Sequence, residues 1–280
     1  MNILNKAVLV KLSISQYNPR RTDDKITREV IDNHGAKRDA GIWVKNVIDP
    51  KTLSGVGNSA VKIRSTHYRL SLPWADDGVR ILPTTMYTVY QDEMRKCKKE
   101  FDANVTEFIN KYPQYVEEAR KALNGMFNES DYPGIMTLRE KFGIAMDFRP
   151  LPSGSDFRVT LAKDDLADMQ QNVDKRVHDA VNDAMKDLWQ RLAQPIRHMI
   201  ERLKDPDTVF RNTIVDNLKE IIDVIPSLNI VDDKELTAMV KECKEKLLKH
   251  TPEDLREVKE IRIDVKNQAE KLLKKMEGYI

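Results

Sequence analysis

Residues 164–204 read DDLADMQQNVDKRVHDAVNDAMKDLWQRLAQPIRHMIERLK. Leu166, Met169, Val173, Val177, Ala180, Ala184, Leu188, Leu192, Ile196, Met199 and Leu203 succeed one another at steps of three and four. That spacing places them on one side of an α-helix. The early steps approach an 11-residue repeat, which predicts a straight or slightly right-handed rod and not a left-handed heptad coil. About 40 residues at helical rise reach roughly 60 Å. Pro195 inside the run predicts a kink. An apolar stripe of this length needs cover, so the fold is helical and the rest of the chain supplies the partners.

Working outward toward the end of the chain, Asp205-Pro206 closes this helix. Phe210, Ile214, Leu218, Ile221, Ile222 and Ile225 predict another over 209–225, stopped by Pro226. Helices over 235–249 and 252–276 follow. Thr251-Pro252-Glu253-Asp254 is a compact start signal: a capping Thr, Pro at the first helical position, and an acid three residues after the cap.

Toward the start of the chain, Tyr87, Tyr90, Met94, Cys97, Phe101, Val105, Phe108 and Tyr112 mark one face of a helix over 84–111. Pro113 is expected to interrupt it. A shorter helix resumes over 115–123 and closes at Asn124-Gly125 with a left-handed end. The stripe of the helix over 84–111 matches that of 164–204, which predicts antiparallel pairing of the two. Thr22-Asp23-Asp24 supplies the cap of a short helix over 25–33 that ends near Gly35. Residues 34–59 read as loop, and Ala60 to Leu70 as a modest helix. Leu72 to Gly78 reads as a turn.

Two stretches change to period 2. Val8, Val10, Leu12 and Ile14 alternate with less apolar neighbours, as do Ile144, Met146 and Phe148 and, past a Pro/Gly/Ser turn, Phe157, Val159 and Leu161. Two strands alone are marginal in water. The expectation is therefore a three-stranded antiparallel sheet from strands near 8–14, 144–149 and 157–161. The fold class is mainly α with a small β part. A mixed, basic region 1–163 precedes an all-helical region 164–280, the two forming one continuous body.

Composition narrows the function classes. The 280 residues are 40% apolar and 33% charged, with a net charge of +2. No apolar run approaches the roughly 18 residues a membrane span needs. Residues 1–10 lack the pattern of a secretory signal. Two cysteines, Cys97 and Cys243, exclude a disulfide framework and a Cys-based zinc site. The five histidines show no metal-ligand spacing. Ser54-Gly55-Val56-Gly57-Asn58-Ser59 resembles a phosphate cradle but lacks the Lys-Ser/Thr of a P-loop. No catalytic motif stands out, so the expectation is a non-enzyme with no cofactor and no metal. Trp74, Asp76 and Asp77 read as a structural turn; acid–base work by the two aspartates is the weaker alternative.

Charge is uneven along the chain. Residues 1–100 hold 18 Lys and Arg against 11 Asp and Glu. Arg20, Arg21, Lys37, Arg38, Lys62, Arg64, Arg69, Arg95, Lys98 and Lys99 lie there, close in sequence to Tyr17, Trp43, Tyr68 and Trp74. Cations that follow phosphate beside aromatics that stack on bases suit single-stranded nucleic acid. The same imbalance suits two halves that attract one another within or between chains.

The runs Asp32-Asn33-His34-Gly35-Ala36, Leu72-Pro73-Trp74-Ala75-Asp76-Asp77-Gly78-Val79-Arg80-Ile81-Leu82-Pro83, Asp156-Phe157-Arg158-Val159 and Met185-Lys186-Asp187-Leu188-Trp189-Gln190-Arg191-Leu192 resemble a family of uncharacterised proteins encoded mainly by tailed phages and prophages. The likeness spans about 7–230. It implies a virus-encoded protein in the cytoplasm of a bacterial host, with an AAA+ ATPase of the MoxR type as an associate. It implies no activity. The leading expectation is a phage-encoded assembly or adaptor protein that forms homo-oligomers. The alternative is a single-stranded DNA-binding protein of phage DNA metabolism.

Overall fold

A computed structural model of the chain describes residues 3–75, 77–156, 163–204 and 211–280. In chain order it contains β1 (Ala7–Ser15), β2 (Arg20–Thr22), α1 (Asp24–Asn33), β3 (Val44–Asn46), α2 (Ser54–Arg69), β4 (Leu72–Pro73), β5 (Val79–Pro83), α3 (Tyr87–Leu123), α4 (Ile135–Glu140), β6 (Gly143–Pro150), α5 (Lys163–Leu203), α6 (Thr213–Leu228), α7 (Lys234–Leu247), α8 (Asp254–Glu257) and α9 (Lys259–Met276). The protein is mainly α with a small antiparallel β part.

The main sheet runs β4-β5-β1-β6, so β1 is central. Leu9 faces Ile81 and Lys11 faces Val79, while Leu72 faces Ile81 on the other side. The segment read as a turn is thus a hairpin, and the sheet has two strands that periodicity did not reveal. β4 has two residues, and in β5 the adjacent Ile81 and Leu82 are both fully buried, so no alternation is visible. The turn is built by Asp77, whose Oδ1 accepts from Val79 N at 3.1 Å, and by Gly78 at φ +82°, where a side chain is strained. The strand expected near 157–161 lies outside the described residues. A separate two-stranded ribbon joins β2 to β3.

Contacts group the chain into two compact units. One comprises residues 1–11, 68–90 and 147–280; the other comprises 12–67 and 91–146.

In the first unit α5 runs through Pro195, and its stripe is buried from Val177 to Leu203 by α6, α9 and β4. These partners take the face that was expected to meet the other long helix. Leu166, Met169 and Val173, three turns earlier, remain partly exposed. The C-terminal carbonyls of α5 are met by buried Arg262 of α9, whose Nη2 donates to Arg202 O at 3.0 Å and Nε to Leu203 O at 3.4 Å. A cation there also complements the helix dipole. Trp189 stacks on Tyr279 with ring centroids 4.3 Å apart. α6 continues past Pro226 to Leu228, because Ile225 and Leu228 are buried on either side of the missing N–H. Thr251 and Asp254 form a reciprocal capping box (2.9 and 3.2 Å). The helix expected over 252–276 breaks at Val258, which is extended (φ −112°, ψ 104°), giving α8 and α9.

The second unit is organised on α3, which passes through Pro113 without a break. Met94, Cys97, Phe101, Val105, Phe108 and Tyr112 are buried, as the stripe predicts. Pro113 itself is exposed, so its ring does not disturb the packed face that holds the helix together. Asn124 closes the helix at φ 45°. α2 begins at Ser54, earlier than expected, and lies antiparallel to α3: Asn104 donates to Gly55 O at 3.2 Å and Lys62 meets Glu100.

Candidate functional site

α1 and the chain that returns beside it form an apolar cleft. Asp23 caps α1, its Oδ1 accepting from Ile26 N at 3.2 Å. Thr27 Oγ1 donates to Asp23 O (2.7 Å) and accepts from Trp43 N (2.9 Å), while Asp23 N donates to Trp43 O (2.9 Å). These bonds pin residues 42–43 to the first turn of the helix. At the far end His34 N bonds Val30 O, Ala36 N bonds Ile31 O, and Gly35 adopts φ +58°. The loop is therefore closed at both ends over a cleft of about 190 Å³ lined by Thr27, Val30, Ile31, His34, Ile42 and Trp43 among others.

No residue of α1 is buried, although Ile26, Val30 and Ile31 share a side. Ile42 is 72% exposed, Trp43 46% and Val30 42%. A tryptophan and two aliphatics left in water around a preformed cleft are what a partner's apolar side chain would cover. The sequence carried a signal for it, an Ile-Trp pair in a segment otherwise read as loop, but nothing local shows that α1 stays unburied.

The platform has a charged anchor beneath it. Lys45 on β3 is buried, and its Nζ reaches Asp23 Oδ2 (2.9 Å), Asp131 Oδ2 (3.0 Å) and Met126 O (2.8 Å). The hydrogen bond from Lys45, followed by that from Ile26 N, holds the Asp23 carboxyl below its ordinary range. Burial pulls the Lys45 ammonium down, but its bonds to Asp23 and Asp131 outweigh that and leave it raised.

The basic residues singled out from sequence are distributed over four elements. Arg20 and Arg21 are on β2, and Arg21 Nη1 is spent on Asn18 O and Arg20 O, with its guanidinium over the ring of Tyr17. Lys37 and Arg38 are exposed in the loop after α1. Lys62, Arg64 and Arg69 are on α2; Lys62 pairs with Glu100 and Arg69 with Glu220. On α3, Arg95 pairs with Asp92, while Lys98 and Lys99 are exposed. Of the aromatics named with them, Trp43 and Tyr68 are exposed. Tyr17 is buried, Tyr68 carries Arg80 over its ring at 4.7 Å, and Trp74 lies 6.0 Å from the Arg176 guanidinium.

The glycine-rich segment 54–59 is the first turn and a half of α2, not a loop ahead of a helix, so it does not form the cradle considered from sequence. Asp77 is spent on its turn, and Asp76 lies outside the described residues. Among the described residues no three His, Cys, Asp or Glu side chains gather as a metal site, and no helix is long and apolar enough to cross a membrane. No protein-family model matches the chain, and neither a curated protein nor a solved structure shows detectable similarity to it.

Proposed function

We propose that this chain is a non-enzymatic assembly or adaptor protein that self-associates, and that its α1 platform receives an apolar side chain from a neighbouring copy. One observation carries the reading: Ile42, Trp43 and Val30 stand exposed around a cleft whose backbone is fixed before any partner arrives. Preorganisation of this kind lowers the entropy cost of association. A phage origin, a bacterial cytoplasm and work beside an AAA+ ATPase rest on the sequence resemblance alone.

The test is the mass of the native particle by light scattering across micromolar concentrations. The expected result is a mass above that of one 32.4 kDa chain, reduced to one chain by Trp43→Glu. A single-chain mass at every concentration overturns the proposal.

Single-stranded nucleic-acid binding is the second reading, favoured by exposed Lys98 and Lys99 beside Arg95 on α3. It predicts oligonucleotide binding that weakens steeply with salt and is lost in the triple change of those residues to Glu.

A further inference from the structure

We propose that the cleft between α5 and α6, lined by Arg191, Gln194, His198 and Asn217, binds a small oxyanion, a phosphate or a carboxylate group. The inference is independent of the assembly reading.

Positive charge is in excess behind the cleft. Arg191 Nε meets Asp187 Oδ2 at 2.7 Å, and its other nitrogens donate to Arg69 O (3.3 Å) and Ser71 O (2.9 Å). Arg80 arrives from β5 and donates to Ser71 Oγ (2.8 Å) and to the same Ser71 O (3.0 Å). Two guanidiniums therefore converge on one carbonyl, with Asp187 as the carboxylate they share. Guanidinium stays charged in proteins, so this corner of the molecule holds an excess of positive charge away from bulk water. The nearby Arg69–Glu220 pair (3.2 Å) is neutral as a whole and does not offset it.

The titration behaviour agrees. Burial first, and then repulsion from Arg191, pull Arg80 down to about 10, while burial also lowers Arg191. Burial raises Asp187 despite the attraction of both arginines. The carboxylate is thus held less readily ionised just where negative charge is needed.

The cleft that Arg191 lines has a volume of about 290 Å³, the size of a small ligand group. Its lining contains a guanidinium, two side-chain amides and an imidazole, and no acid. The contacts of Arg191 use three of the five N–H groups that a guanidinium carries. His198, which accepts from Arg202 Nε through Nε2 (3.4 Å), adds its imidazole to the lining. A site with a fixed positive field and several donors suits an oxyanion, and an anion there relieves the repulsion between Arg80 and Arg191.

Nitrogen-15 NMR of the full chain reads the Gln194 and Asn217 side-chain amides during separate titrations with inorganic phosphate and sodium acetate, each matched to sodium chloride at equal ionic strength. The expected result is a saturable shift with one of them below about 10 mM. Saturation by phosphate assigns a phosphate ligand, and saturation by acetate a carboxylate ligand. Asn217→Asp and Gln194→Glu, both at exposed positions, are expected to weaken binding at least about tenfold. Shifts that chloride reproduces, no saturation with either anion, or saturation that neither variant alters overturns the proposal.

Discussion

Lys45 shows how much one side chain can organise. Its ammonium joins the N-cap of α1 to Asp131 and to the carbonyl of Met126, 81 residues away. Replacing it with Met leaves two carboxylates facing each other without a cation. Removing one partner from a buried charged cluster costs more than the cluster contributes. Lys45→Met is expected to destabilise the protein by about 2–3 kcal/mol in urea unfolding, and Asp131→Asn in the same background should restore part of the loss. The carboxylates also set a pH dependence. Asp23, Glu107, Glu242 and Asp254 are held below their ordinary range by hydrogen bonds, to Lys45, Lys111, Lys246 and Thr251 first in each case. A carboxyl lowered in the folded state contributes stability above its unfolded pKa and loses it as pH falls through the folded value. Thermal unfolding followed from neutral pH downward should show constant stability until the ordinary carboxylate range, then a progressive fall. A fall that began near neutrality would implicate other groups.

Elements obey packing where packing and local rules conflict. Proline was expected to end the helices at 113 and 226, and at neither position does it do so. In both helices apolar residues on the buried face continue past the ring, and burying them outweighs one lost hydrogen bond. Pro113 is exposed, so Pro113→Ala restores that bond without disturbing the core. It is expected to raise stability by about 1 kcal/mol or more, read as a higher urea midpoint at unchanged slope. Caps followed local chemistry instead. Asp23, Asn124 and the Thr251/Asp254 box all stand where residue type put them. Thr251→Ala should cost about 1 kcal/mol, measured in the same unfolding assay.

At the scale of the molecule, charge is redistributed by the fold. Residues 1–100 are clearly basic, yet the unit formed by 12–67 and 91–146 holds 19 basic residues against 16 acidic, and the other unit 28 against 29. Acids that lie later in sequence enter the same body as the early cations, and Lys62 and Arg69 find carboxylates 38 and 151 residues away. The net charge is +3 in the first of these units and −1 in the second. Accordingly, Lys98→Glu with Lys99→Glu is expected to leave the native particle mass unchanged, whereas Trp43→Glu reduces it; equal effects of both would point to charge as the assembling force.

The helical class, the stripes of α3 and α5, the central strand and most helix starts are legible along the chain. Each of these depends on periodicity or on a cap that acts within a few residues, and short-range chemistry is written in order along the chain. Tertiary structure alone decided the partners: β5 beside β1, α6 and α9 over α5, Arg80 against Arg191, and an α1 that remains uncovered. Those outcomes depend on which distant surfaces are left to bury one another. No window of neighbouring residues holds that information, because burial is a property of the whole packed chain.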